Sequence, residues 1–148
     1  MFDKFERMLR AREDVVIGAG VDEQIVNEAA GLLGVVFPIQ LREYLKQFGH
    51  VELGHFELFG LGDDVPAYLD LVRMTLTERT DTGCPLRSDL VPLLNDGGGN
   101  LYCITTKPEE AGAVVFWDHT GGQDQVPDRH ASSLAEWLVE LLAALHSE

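Results

Sequence analysis

Asp118-His119 closes an apolar run and is the dipeptide in this sequence best suited to proton chemistry. A carboxylate and an imidazole at a strand end can take and give a proton. Asp96, in a glycine-rich turn, could add a second carboxylate, so a catalytic reading rests on Asp118, His119 and Asp96. The competing reading is structural, with His119 bonded to a loop carbonyl and Asp118 opening a turn. Nucleophiles are less well served. No G-x-S-x-G elbow occurs. Cys103 sits in an apolar segment, where a thiol behaves as a small hydrophobe, and nothing beside Cys84 in sequence would lower its pKa. Ser132 and Ser133 are accounted for by helix capping.

Metal and phosphate chemistry find equally little. The histidines are His50, His55, His119, His130 and His146, with no H-E-x-x-H pair and no C-x-x-C. His50 and His55 beside Glu52, and Asp96 with Asn95 and Asn100, come nearest to ligand sets, but their spacing matches no metal loop. Gly97-Gly98-Gly99 runs toward a strand, so no helix N-terminus would face a phosphate, and Gly60-Leu61-Gly62 reads as a turn. No metal, cofactor or catalytic residue is therefore expected, and the chain reads as a non-enzyme.

Charge is the more informative property. The 148 residues hold 25 Asp plus Glu against 11 Lys plus Arg, a net charge of −14. The first 12 residues are basic, with Lys4, Arg7, Arg10 and Arg12 against Asp3 and Glu6, so the body is more acidic than the total. From 108 to 148 there are eight acids and one base, Arg129. Phosphates repel such a surface, which argues against nucleic acid and anionic membranes and favours a cationic partner. A hydrophobic fraction of 45% is ordinary for a folded chain. Two cysteines make no disulfide framework, and no apolar run approaches the roughly 18 residues of a membrane helix. No signal peptide is recognisable, so a cytoplasmic location with reduced thiols is expected.

These residues must be positioned by the elements around them. Phe2, Phe5, Met8 and Leu9 predict an amphipathic helix over 1–12, followed by a connection over 13–20. Asp22 suits an N-cap and Gly34 a C-cap, with Ile25, Val26, Ala29, Leu32 and Leu33 inward. Pro38 opens a third helix whose stripe is Leu41, Tyr44, Leu45 and Phe48. A strand is predicted over 55–59, a helix over 66–78 with Leu69, Val72 and Leu76 inward, and an edge or irregular strand over 90–94, broken by Pro92. Segments 101–105 and 113–117 form a hairpin that is apolar on both faces, hence central to a covered sheet. Residues 119–130 read as a polar loop. Ser133 with Glu136 forms a capping box before Leu134, Trp137, Leu138, Leu141, Leu142 and Leu145. The order of elements predicts an α+β fold with a mainly antiparallel sheet flanked by helices. It reads as one domain over 1–148, with an N-terminal helix and connection at 1–20 and the body at 21–146.

Leu33-Gly34, then Phe37-Pro38, then Leu41, Tyr44, Leu45 and Gly49 resembles the opening motif of the SUKH superfamily, the Smi/Knr-like domains. Pro92 to Asp96, the glycines, Asn100 and Tyr102 resemble its central segment. Val114 through His119 is similar to its next strand, and Ser133-Leu134-Ala135-Glu136-Trp137-Leu138 to its closing helix. Phe37, Phe48 and Asn100 stand where the family commonly has leucine, a polar residue and aspartate. The resemblance covers roughly 25–145 and implies a non-catalytic α+β domain with a cleft at one sheet end. Many bacterial members look like immunity proteins that neutralise a toxin, often a nuclease; fungal relatives are regulatory scaffolds.

Charge and resemblance together predict a protein that binds a basic toxin domain, with a regulatory scaffold or small-ligand sensor as the alternative. The expected interaction face comprises Asp63, Asp64, Asp96, Asn100, Asp118, His119, Asp124 and Asp128, with Tyr102 and Trp117 lining the cleft. A monomer is expected, or a weak homodimer in which the basic N-terminal helix packs in trans.

Overall fold

A computed structural model describes residues 1–81, 83–110 and 112–146. The N-terminal stripe folds as α1 (Asp3–Arg10), burying Phe5 and Leu9. It packs in cis against the helix over Leu134–His146, and Phe5 stands edge-on to Phe48 with ring centroids 5.6 Å apart. The segment expected to be a plain connection holds a strand, β1 (Val15–Ile17). Helix α2 (Glu23–Leu33) begins where Asp22 accepts from the Ile25 N–H at 2.9 Å and ends at Gly34, with φ +69°. Its buried face is Val26, Ala29, Ala30 and Leu33; Ile25 and Leu32, expected inward, are exposed. Helix α3 (Ile39–Gln47) starts at Pro38 and buries Leu41, Tyr44 and Leu45 as its spacing predicts.

The first sheet is antiparallel, in the order β1, β2 (Val51–Leu53), β3 (Phe56–Glu57). The predicted helix over 66–78 is two elements. A 3₁₀ turn at Ala67–Leu69 stops at Asp70, which then caps α4 (Leu71–Arg79) by accepting from the Arg73 N–H at 2.9 Å. The break has a physical cause: Gly60 donates to the Leu69 carbonyl and accepts from the Leu71 N–H, so the backbone there is engaged across the fold. Leu69, Leu71 and Thr75 face inward, while Leu76 is exposed.

The second sheet is a four-stranded antiparallel meander, β4 (Leu90–Asn95), β5 (Leu101–Thr105), β6 (Val114–Trp117) and β7 (Asp128–Ala131). As expected, β4 is irregular, with a register shift between Pro92 and Leu94, and β5 and β6 are central. Strand β7 replaces part of the loop expected over 119–130. Its first three side chains, Asp128, Arg129 and His130, are polar and exposed and only Ala131 is buried, so it shows no alternating pattern and exists through backbone pairing with β6. The two sheets join where Leu58 bridges Leu94 and the Phe59 N–H donates to the Leu93 carbonyl at 2.8 Å. Helix α5 (Leu134–His146) closes the fold. Its first turn is capped by Ser133, which accepts from the Glu136 N–H, and by Gln40 of α3, which accepts from the Ala135 N–H.

Alternation along β5 and β6 divides the apolar residues between two cores. Ile104 and Val114 join the large core under the helices. Leu101, Cys103, Val115 and Trp117 join a second cluster with Cys84, Leu86 and Leu90. Among the described residues, five α-helices, one 3₁₀ turn and two antiparallel sheets make an α+β fold, as predicted. Among the described residues no helix is long and apolar enough to cross a membrane.

Candidate functional site

An antiparallel meander puts the end of β4, the start of β5, the end of β6 and the start of β7 on one side. The 95–100 turn and the 118–127 loop therefore meet there. Asp96 organises the turn: one of its oxygens accepts from the Gly98 N–H at 2.8 Å and the Asn100 N–H at 3.2 Å. The Asn100 side chain bridges the two loops. Its Nδ2 donates to Asp96 at 3.2 Å, and its Oδ1 accepts from the His119 N–H at 3.1 Å and lies 2.7 Å from His119 Nδ1. That contact favours the tautomer with a proton on Nδ1, since an amide oxygen only accepts. Gly99 has φ +100°, and a Cβ there would stand 3.3 Å from the His119 ring.

Asp118 turns back on its own loop. Its carboxylate accepts from the Thr120 hydroxyl at 2.7 Å and the Thr120 N–H at 2.8 Å, which holds its pKa below the usual carboxylate value. Gln125 ties the far side of the loop, accepting from the Asp118 N–H at 3.1 Å and donating to its carbonyl at 2.7 Å. Asp81 adjoins this end, its pKa lowered by the N–H groups of Cys84 and Gly83. Cys103 is buried, and desolvation pushes its thiol well above the ordinary value. Among the described residues no group of three or more His, Cys, Asp or Glu is placed to hold a metal ion.

The structure thus brings together Asp96, Asn100, Asp118 and His119, with Asp124 exposed in the same loop and Asp128 at the start of β7. It separates Asp63 and Asp64 from them. Segment 58–60 runs antiparallel to β4, away from the 95–100 turn, and leads to a different cleft of about 480 Å³. There Asp63 and Asp64 stand beside Asp22, His50 and the backbone of Gly18 and Gly20. Asp128, expected in a loop, is a strand residue opposite Phe116.

The cleft residues also divide. Tyr102 lines a groove of about 410 Å³ with Phe56, Leu94, Asp96, His130 and Trp137, and Glu140 joins the lining. Burial raises the Tyr102 pKa, with a smaller contribution from the Asp96 charge. Trp117 does not line it. Its partner across the ladder is Leu101, so the pleat turns it to the opposite face, where it is 1% exposed. Sequence reasoning named none of Phe56, His130, Glu140 and Trp137 for the site, and the most telling of these is Trp137, whose ring lies 5.6 Å from Tyr102 and inclined by 34°. It reads as core by its helical spacing, and it is core; only the packing reveals that it also floors the groove.

The family model for SMI1-KNR4 cell-wall proteins of the SUKH group matches residues 2–143. The chain belongs to this family. A crystal structure of a protein from Pseudomonas syringae pv. tomato is similar in fold to this SUKH domain, with a TM-score of 0.72 at 22% identity, covering 95% of this chain and 97% of that one. No curated protein matches the sequence. The family match extends across the SUKH domain from α1 into α5, so the bridged loops and the Tyr102 groove both lie within the matched segment.

Proposed function

We propose that this SUKH-family protein is a non-catalytic binding domain that neutralises a basic protein, a toxin domain of the nuclease type, by direct contact. One observation carries the reading. At the open end of the second sheet the 95–100 turn, the 118–127 loop and the first residue of β7 hold Asp96, Asp118, Asp124 and Asp128 and no lysine or arginine. Nucleic-acid-binding enzymes are basic, so such an end would steer them in and compete for the surface that holds phosphate. Asn100 and His119 lock the two loops together, which limits the ordering cost of docking. Asp63 and Asp64 would add a second acidic contact at the other cleft. The net charge of −14 extends the same field over the whole molecule.

The test is co-expression with the toxin-type protein encoded beside it, followed by affinity measurement at rising salt. Affinity should fall steeply with ionic strength, and neutralising Asp96, Asp118, Asp124 and Asp128 together to Asn should weaken it more than neutralising four acids elsewhere. An affinity indifferent to salt would defeat the electrostatic account. The alternative of a regulatory scaffold or small-ligand sensor draws on the two grooves, of about 480 and 410 Å³. A small molecule that raises the melting temperature of the isolated protein would favour it.

A further inference from the structure

The groove around Tyr102 combines an aromatic floor with a carboxylate rim. Tyr102 is its centre: ring centroids lie 5.0 Å away at His130, 5.3 Å at Phe116 and 5.6 Å at Trp137. Phe56 contributes a further aromatic wall, and Asp96 and Glu140 stand on opposite elements, the β4–β5 turn and α5. Strand alternation sorts the charges of β7. Asp128 and His130 fall on the same strand face, the one on which His130 meets Tyr102. Arg129, the strand's single cation, is opposite Val115 and turned toward the other side. His130, also in the lining, lies 3.7 Å from Glu140. The lining is thus aromatic and anionic, with no lysine or arginine in it.

We propose that this groove is a socket for an arginine side chain presented by the basic protein partner, its guanidinium lying on the Tyr102 surface and pairing with Asp96 and Glu140. The chemistry selects arginine over other occupants. A guanidinium is planar, weakly hydrated and always charged, and it stacks on aromatic faces while donating sideways to carboxylates. An ammonium is more strongly hydrated and donates from a point, so it gains less from an aromatic floor. A neutral apolar side chain would leave the rim carboxylates without a counter-charge. The proposal rests on the reading of a basic protein partner, but it specifies where that partner is gripped and by which residue type.

The probe is N-acetyl-arginine amide, titrated into the full chain at pH 7.5 and followed by two-dimensional amide and indole NMR. N-acetyl-citrulline amide, of equal shape without the charge, and N-acetyl-lysine amide serve as comparisons. Binding in the millimolar range should move the signals of Tyr102, His130 and the Trp137 indole N–H. Citrulline should leave them still, and lysine should bind several-fold more weakly than arginine. Asp96→Asn with Glu140→Gln should weaken arginine at least tenfold. Tyr102→Leu, which keeps apolar bulk, should weaken it several-fold with the amide spectrum of the core intact. Shifts spread over all the acidic loops, lysine binding as well as arginine, or an unaltered affinity in the double variant would each overturn the socket. Because the probe needs no partner, the outcomes separate. A socket that binds arginine while no basic protein is captured refutes only the partner reading. A captured partner with a silent groove refutes only the socket.

Discussion

Replacing Asn100 by alanine should unfasten the two acidic loops from each other. The side chain makes three contacts: Nδ2 to Asp96 at 3.2 Å, and Oδ1 to the His119 N–H at 3.1 Å and to His119 Nδ1 at 2.7 Å. A hydrogen bond contributes about 0.5–1.5 kcal/mol net, and the low end applies where water can substitute. Three of them amount to roughly 1.5–2 kcal/mol of local stability, or about 10–30-fold in an opening equilibrium. The Asp96 bonds to the Gly98 and Asn100 N–H groups survive the change, so the turn itself should persist. The assay is native-state amide exchange. The His119 amide should exchange about 10–30 times faster, while Cys103 and Val115, central in the sheet, keep their protection. Exchange at His119 altered by less than about twofold would refute the inference that Asn100 is the fastening.

Three further outcomes follow from named contacts. Arg79 donates to the Leu33 carbonyl at 2.8 Å and the Ser88 carbonyl at 3.0 Å, joining the end of α2 to the approach to β4. Arg79→Met should cost about 2–4 kcal/mol in urea unfolding, and Arg79→Lys about half that; a loss under about 0.5 kcal/mol would show the clamp to be idle. Gly49 has φ +70°, and a Cβ there would meet the Leu61 carbonyl oxygen at 2.7 Å. Gly49→Ala should therefore cost at least about 2 kcal/mol, read from the same unfolding curves. Stability should also fall in acid. Asp89, gripped by Arg87 through two bonds of 3.0 and 2.9 Å, has its pKa lowered chiefly by that pair, and Asp118 and Asp81 are lowered by their hydrogen bonds. A carboxylate with a depressed folded pKa stabilises the native state above its unfolded pKa, near 4, and loses that contribution as pH falls toward the folded value. Glu78, raised by desolvation, works in the opposite sense. Unfolding free energies at pH 3–6 should show the drop below about pH 4, and Arg87→Met should make it shallower; an unchanged slope would exclude Asp89 as a contributor.

What the sequence discloses here depends on whether the cause is local. Asp22 and Gly34 bound α2 because a side-chain acceptor and a left-handed glycine act on their own neighbours. The hairpin of β5 and β6 is legible because both strands are buried on both faces. Strand β1 is not, since three residues acquire their state only by pairing with β2, far along the chain. Strand β7 is hidden for a related reason: its sequence is polar and its bonds are supplied by β6. The helix break at Asp70 depends on Gly60, ten residues away. At the site, the gathering of Asp96, Asn100, Asp118 and His119 follows from a meander alone. The divorce of Asp63 and Asp64 required the direction of segment 58–60. The opposite facing of Tyr102 and Trp117 required the register that pairs Leu101 with Trp117.

The packing of α1 on α5 bears on the order in which the molecule can be made. Phe5 and Leu9 are synthesised well before α5, on which their helix rests and which begins at Leu134. Until that segment emerges, the apolar side of α1 is covered only in part, by Tyr44 and Phe48. Completion of the core is thus deferred until α5 has been made, and a nascent chain halted before it would expose part of a sticky amphipathic helix. A chain built this way commits to its native state late, and its vulnerability to aggregation or proteolysis is concentrated in the interval before α5 docks.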